Sequence, residues 1–289
     1  MSVFTKERVK VSELKNIKEK SINKRVLISK IATYLSVIFT VFGLMFLFWI
    51  ITTVIVKGMA GFSAEIFISP TAFGGLANAF LGQLELVAIA SFVGIPVGLL
   101  AGTYLSEYGV DQKKLNLIRN ISDIMMSTPS IVIGAFAYAL LVKPMNSYSG
   151  WAGSFALAVM MIPVVLKTTD DMLSLVPKTL REASFALGAT KYKCITSVVF
   201  RAAKNGLLTG IVLSIARVAG ETAPLLFTSA NSDFFDFNLN NAIPSLTVSI
   251  YDFSSMPDES LKSVAWAGAF ILAIFVLGVN ILGRVLIRK

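Results

Sequence analysis

The chain has 289 residues, 55% of them hydrophobic, with a formal net charge of +9, one cysteine and no histidine. That composition excludes an ordinary soluble domain, and the missing histidines exclude His-type metal sites and His proton relays. In a membrane protein the placement of charge matters more than its sum, so the basic balance does not imply a nucleic-acid partner.

Residues 1–30 hold nine Lys or Arg against three Glu and read as a basic cytoplasmic N-terminal tail near anionic lipid head groups. The first apolar run, 31–56, is too long for a signal peptide, and no small-residue cleavage site follows it. Uncharged runs recur at Leu86–Ser106, Ile124–Val142, Pro144–Leu166 and Ser263–Gly283, and Asn205–Ser229 is equally apolar apart from Arg217 and Glu221. Each has about twenty residues or more, enough to cross roughly 30 Å of hydrocarbon as a helix. The expected fold is therefore an all-α integral membrane protein with six transmembrane helices and both termini on one side. Of the 26 basic residues, nine lie in the tail, three in 107–119, seven in 167–204 and three at the C-terminal end. The opposite side has only Lys57, Lys143 and Lys262. The positive-inside rule then makes both termini cytoplasmic.

Two longer loops, 57–84 and 230–262, fall on the outer side. In the second, Ile243 to Phe253 reads either as a short segment on or dipping into the membrane, or as part of an aromatic interfacial belt. In the third run, Ser127, Thr128 and Ser130 flank Pro129. Their hydroxyls either face an oxyanion or satisfy backbone groups that the proline frees.

The charged stretch Lys167–Arg201 lies between two apolar runs, and 168–201 is expected to be a cytoplasmic coupling loop. Pro177 suits a first helical turn, Leu180, Ala183, Ser184 and Leu187 share one face, and Gly188 ends or bends the helix. A solvated helix on the membrane surface and a helix docked in a partner's groove both fit this pattern. The lone Cys194 sits in this stretch and has no disulfide partner within the chain.

Arg217 is the only basic residue inside a span. With a helix beginning near Asn205 it lies about 18 Å deep, and Glu221 follows one turn later on the same face. The two form either a closed ion pair between helices or a cationic element on an anion's route, where a guanidinium suits a tetrahedral oxyanion. The family resemblance that follows adds Lys167 and Thr222 to the candidate pathway.

Glu182-Ala183-Ser184, three residues, then Gly188 resembles the coupling motif of ATP-binding-cassette importer permeases; Arg201 stands where that motif has Pro. Ala216-Arg217-Val218-Ala219-Gly220-Glu221-Thr222-Ala223-Pro224 resembles the signature helix of PstA-type permeases of bacterial phosphate importers. Pro129-Ser130-Ile131-Val132-Ile133-Gly134, Lys167-Thr168-Thr169 and Ala265-Trp266-Ala267-Gly268 extend the likeness over about 35–286, with Lys167 where many relatives have Arg. The resemblance implies a type I importer permease fold, with the permease domain over 78–286, in the bacterial inner membrane. It also implies a PstC-type sister permease, a PstB-type ATPase dimer and an extracytoplasmic phosphate-binding protein. Coupling would run through Glu182, Ala183, Ser184 and Gly188.

No G-x-x-x-x-G-K-[ST] occurs in the chain, and no His, Cys or paired-carboxylate constellation suggests catalysis. The chain is expected to be non-catalytic and to bind no cofactor, with ATP used by the partner ATPase. Alternatives are a permease for phosphonate, molybdate or sulfate, an ion-coupled secondary transporter, or a scaffold for phosphate sensing. One Arg–Glu pair and no evident inverted repeat disfavour the secondary transporter.

Overall fold

The computed structural model describes residues 3–287, with side chains described over 25–285; the side chains of most of the basic tail, and Arg288 and Lys289, lie outside that range. The chain divides into Met1–Ile55 and Val56–Lys289. The first unit is helix α1, Val3–Ala60, which continues a few residues into the second and runs unbroken across the expected tail–span boundary. From Val37 to Ile51 its large apolar side chains are exposed. Thr33, Thr40 and Thr52 donate their hydroxyls to carbonyls one turn back, so the polar groups are satisfied within the helix. A helix apolar on every side with its polar groups turned inward is built for lipid.

The second unit contains α2 Ala77–Thr103, α3 Gln112–Ser127, α4 Ser130–Ala137, α5 Lys143–Met145, α6 Gly150–Ser174, α7 Lys178–Ala186, α8 Lys191–Cys194, α9 Phe200–Val218, α10 Ala223–Thr228, α11 Leu246–Ser255 and α12 Glu259–Ile287. A π turn at Tyr104–Tyr108 extends α2, and another at Ile195–Val199 fuses α8 to α9. Among the described residues, counting α1, five helices are long and apolar enough to cross a membrane, and a sixth span forms if the bent pair α3 and α4–α5 counts as one.

At the centre α2 packs in parallel on α6. Between lipid-exposed helices apolar burial gives little net drive, so close approach has to come from small residues. Gly94, Gly98 and Gly102 supply it: a Cβ at Gly98 would lie 2.7 Å from the Val165 Cβ, and one at Gly102 2.6 Å from the Thr169 Cβ. Leu86, Ala90, Leu157, Met161 and Val165 of these helices join Val218, Leu225, Ile243 and Val248 in one buried cluster.

Two expected spans are broken. The run Ile124–Val142 is not straight: α3 and α4 meet at 102°. Pro129 lacks a backbone N–H and holds Thr128 in extended conformation (φ −69°, ψ 131°). The Ser127 and Thr128 hydroxyls both donate to the Ile124 carbonyl, 2.9 and 2.7 Å, so they serve the backbone at the bend. The run Asn205–Ser229 also divides, because Pro224 in the first turn of α10 cannot continue the hydrogen-bond ladder from α9.

The outer segment Ile243–Phe253 packs into the bundle. Most of it is α11, whose Leu246, Val248 and Phe253 are buried, with Leu246 and Phe253 against Ala265, Ala267 and Ile271 of α12. The charged stretch 167–201 is mostly helix as well: its first residues finish α6, and its last ones form α8 and the π turn into α9.

Candidate functional site

Two places carry all the predicted site residues except Lys167: α7 at one end of the bundle and the α9–α10 break within it. At α7, Pro177 precedes the helix in extended conformation (φ −59°, ψ 140°) and does not sit in the first turn as expected. A proline there ends the preceding chain cleanly and leaves the first helical N–H groups free. The other end closes on Gly188, φ +80°. The Gly188 N–H donates to the Phe185 carbonyl at 2.9 Å and the Ala189 N–H to the Ser184 carbonyl at 3.1 Å, the paired bonds of a Schellman stop.

The expected apolar face of α7 is divided. Ser184 is buried, whereas Leu180, Ala183 and Leu187 are exposed, Leu187 at 90%. Phe185 and Glu182 are exposed too. The side turned to the bundle is polar, Arg181 and Ser184, and much of the outward side is apolar. Soluble helices show the opposite arrangement.

Arg181 was not singled out by the sequence. Its guanidinium pairs with Glu107, in the π turn that extends α2, and donates to the carbonyls of Leu173 at 2.9 Å and Val176 at 2.6 Å. The carbonyls at the end of α6 therefore receive a cation where a helix C-terminus favours one.

At the break, α9 ends at Val218, Gly220 and Glu221 turn, and Thr222 leads into α10. Carbonyls left open there find donors on other helices: Gln83 Nε2 of α2 donates to Ala219 O at 3.3 Å, and Thr247 Oγ1 of α11 donates to Glu221 O at 2.9 Å. The expected single helical face carrying Arg217 and Glu221 does not exist. No ion pair joins the two among the described residues, because the chain turns between them. Arg217 is exposed on the surface of the chain, while Glu221 and Thr222 are partly buried. Nothing within the subunit packs on Gly220, whose nearest neighbour to an added Cβ is the Arg217 carbonyl at 3.7 Å.

Lys167 is not brought to Arg217. It lies on α6, 3.4 Å from Asp123 of α3. One turn away the pairing is reversed, with Arg119 of α3 on the buried Asp170 of α6. The adjoining Thr168 packs where a Cβ at Gly210 of α9 would fall, and Arg217 is seven residues, about 10 Å, further along that helix.

The profile of the binding-protein-dependent transport system inner membrane component family matches residues 94–289. The phosphate transport system permease protein PstA of Pasteurella multocida is 44% identical over 265 residues, 90% of this chain and 95% of that one. PstA of Haemophilus influenzae is 45% identical, over 89% of this chain and 92% of its own length. Among solved structures, the inward-facing MetNI methionine ABC transporter aligns with TM-score 0.60 at 21% identity, covering 74% of this chain and 94% of that chain. A bacterial ABC transporter for import of the acidic polysaccharide alginate aligns at 0.62 and 12% identity, covering 85% and 91%. These likenesses establish the importer-permease fold, and the identities establish the relationship: the chain belongs to the binding-protein-dependent transport system inner membrane component family, and within it to the PstA permease proteins.

Proposed function

We propose that this chain is one of two membrane-spanning subunits of an ATP-driven importer of inorganic phosphate in the bacterial inner membrane, with both termini cytoplasmic. A PstC-type sister permease completes the pathway, a PstB-type ATPase dimer docks on α7, and an extracytoplasmic phosphate-binding protein delivers the anion. The chain itself hydrolyses nothing and holds no cofactor; ATP belongs to the partner ATPase.

The observation that carries this reading is Arg217, a guanidinium inside the apolar run Asn205–Ser229 at the end of α9, exposed on its own subunit and, among the described residues, outside any ion pair. Lipid does not accept such a group at this depth without about 3 kcal/mol of penalty, so its surroundings in the assembly must be protein or a water-filled route. With a second subunit facing it across that route, Arg217 gives phosphate the compensating charge it needs in a low dielectric. Thr222 and the turn at Glu221 lie beside it, and Lys167 offers a further cation on the α6 side. At α7, Glu182, Ala183 and Leu187 present an uncovered face to the ATPase, with Ser184 and Gly188 setting its shape.

Deletion of the gene under phosphate limitation, with complementation by a tagged copy, tests the reading. Phosphate uptake falls on deletion and returns with the tagged chain, which co-purifies with an ATPase and a second six-span subunit. Restored uptake of sulfate, molybdate or phosphonate, with phosphate unaffected, would reassign the cargo. A tagged chain that transports without any ATPase would reassign the class.

A further inference from the structure

Arg181 makes four hydrogen bonds to two segments, the π turn that extends α2 and the end of α6 with the residues just after it. Nε donates to Glu107 Oε2 at 3.3 Å and Nη2 to Glu107 Oε1; Nη1 donates to Val176 O at 2.6 Å and Nη2 also to Leu173 O at 2.9 Å. The side chains of Arg181 and Glu107 are only 18% and 7% exposed. Around them lies an open notch of about 530 Å³ lined in part by Ser106, Ser174, Lys178 and Glu182. α7 lies against α8 and the π turn Ile195–Val199, and across the notch the polar fork links it to the end of α2. The α2 and α6 ends that the fork joins are themselves locked side by side through Gly94, Gly98 and Gly102.

We propose that Arg181 is a positioning residue that makes α7, α6 and α2 one rigid body, so that displacement of α7 by the ATPase moves α2 and α6 together. The inference rests on the assignment of α7 as the ATPase-docking helix. The chemistry requires arginine. Its planar fork reaches one carboxylate at two points and two carbonyls besides, whereas a lysine ammonium concentrates its donors at one point and cannot reach all three groups. Glu107 is the matching half, since a carboxylate accepts at both oxygens and an amide at only one. Without the fork α7 can tilt in the notch, and its movement is dissipated before it reaches α2.

The test uses the full complex with ATPase, sister permease and binding protein, reconstituted in vesicles at equal assembled amounts. Arg181→Lys and Glu107→Gln are expected to lower phosphate moved per ATP hydrolysed about fivefold, with the ATPase still bound. Spin labels at Ala186 and Val110, both exposed, report the distance from α7 to the end of α2. The native complex should give one narrow distance with and without ATP, and both variants a broad distribution. A merely structural contribution would lower the amount of complex and leave this width and the ratio unchanged. Native ratios with narrow distances in both variants would overturn the proposal. Native complex that hydrolyses ATP but moves no phosphate would sink the cargo assignment alone, because the distance readout does not depend on the cargo.

Discussion

Arg119 of α3 grips Asp170 of α6 at two points, Nε to Oδ2 at 2.7 Å and Nη2 to Oδ1 at 3.1 Å. Asp170 is buried, and beside it Asp123 of α3 reaches Lys167 of α6, so the two helices exchange one acid and one base each. Because α3 turns away from α4 at Pro129, this double pairing helps to fix the detached half of the broken span to the bundle, together with Leu115 and Ile118 packed on Leu166 and the Ser122 hydroxyl donating to the Pro163 carbonyl at 3.3 Å.

The two pairs should differ in strength. Asp170→Ala strands a partly buried guanidinium and should destabilise the purified protein by about 3 kcal/mol. Asp123 is 51% exposed and Lys167 35%, so Asp123→Ala should change stability by less than about 1 kcal/mol. Unfolding midpoints in mixed micelles give the comparison, and equal shifts would refute the distinction.

Gly188 offers a separate test of why that position is glycine. An added Cβ meets nothing within 4 Å in the subunit, so the constraint inside the chain is the backbone at φ +80°. Asparagine tolerates that region better than alanine, and a β-branched residue tolerates it least. ATPase retention should therefore fall in the order Gly, Asn, Ala, Val, and Gly188→Glu should lose both retention and uptake. If Ala is retained better than Asn, the docking surface and not the backbone decides the position.

Glycines within the spans should divide by contact. Gly98→Ala forces apart α2 and α6 and should cost about 1–3 kcal/mol, whereas Gly278→Ala on α12, with nothing within 4 Å, should be neutral or slightly stabilising. Thermal unfolding of the two variants side by side decides it, and an equal loss in both would remove the close-packing argument.

Orientation is testable by labelling. Cys194 is 1% exposed and should stay silent to a thiol reagent on either side of the membrane. Ser260→Cys in the exposed first turn of α12 should react with an impermeant reagent in intact spheroplasts, and Tyr192→Cys only after lysis. The reverse pattern would invert the topology and remove α7 from the ATPase.

Much of this was legible in one dimension, because spans, charge asymmetry and the Glu182–Gly188 spacing are local patterns. The length of an uncharged run shows that a chain can cross a bilayer, but not whether it crosses straight. Pro129 and Pro224 were visible, yet proline is tolerated in membrane helices whenever other groups take up the freed carbonyls. Gln83 and Thr247, which do so at the α9–α10 break, come from helices remote in sequence. The same break separated Arg217 from Glu221, whose four-residue spacing predicts a pair only within an intact helix. Arg181 and Glu107 lie 74 residues apart and Arg119 and Asp170 lie 51 apart, and no local period marks such partners. Ser184 turned inward for a related reason: the hydroxyl sits on the polar side with Arg181, and helical spacing alone could not say which side faced the bundle.

The most direct test of the central claim is phosphate uptake by assembled complexes carrying Arg217→Gln or Arg217→Lys, at matched amounts of bound ATPase. Glutamine keeps polarity and removes the charge; lysine keeps the charge and loses the fork. If Arg217 supplies positive charge to the phosphate route, Arg217→Gln abolishes uptake and Arg217→Lys keeps a measurable fraction of it, with ATPase retention native in both. Native uptake by Arg217→Gln would contradict the account and leave Arg217 a contact between subunits.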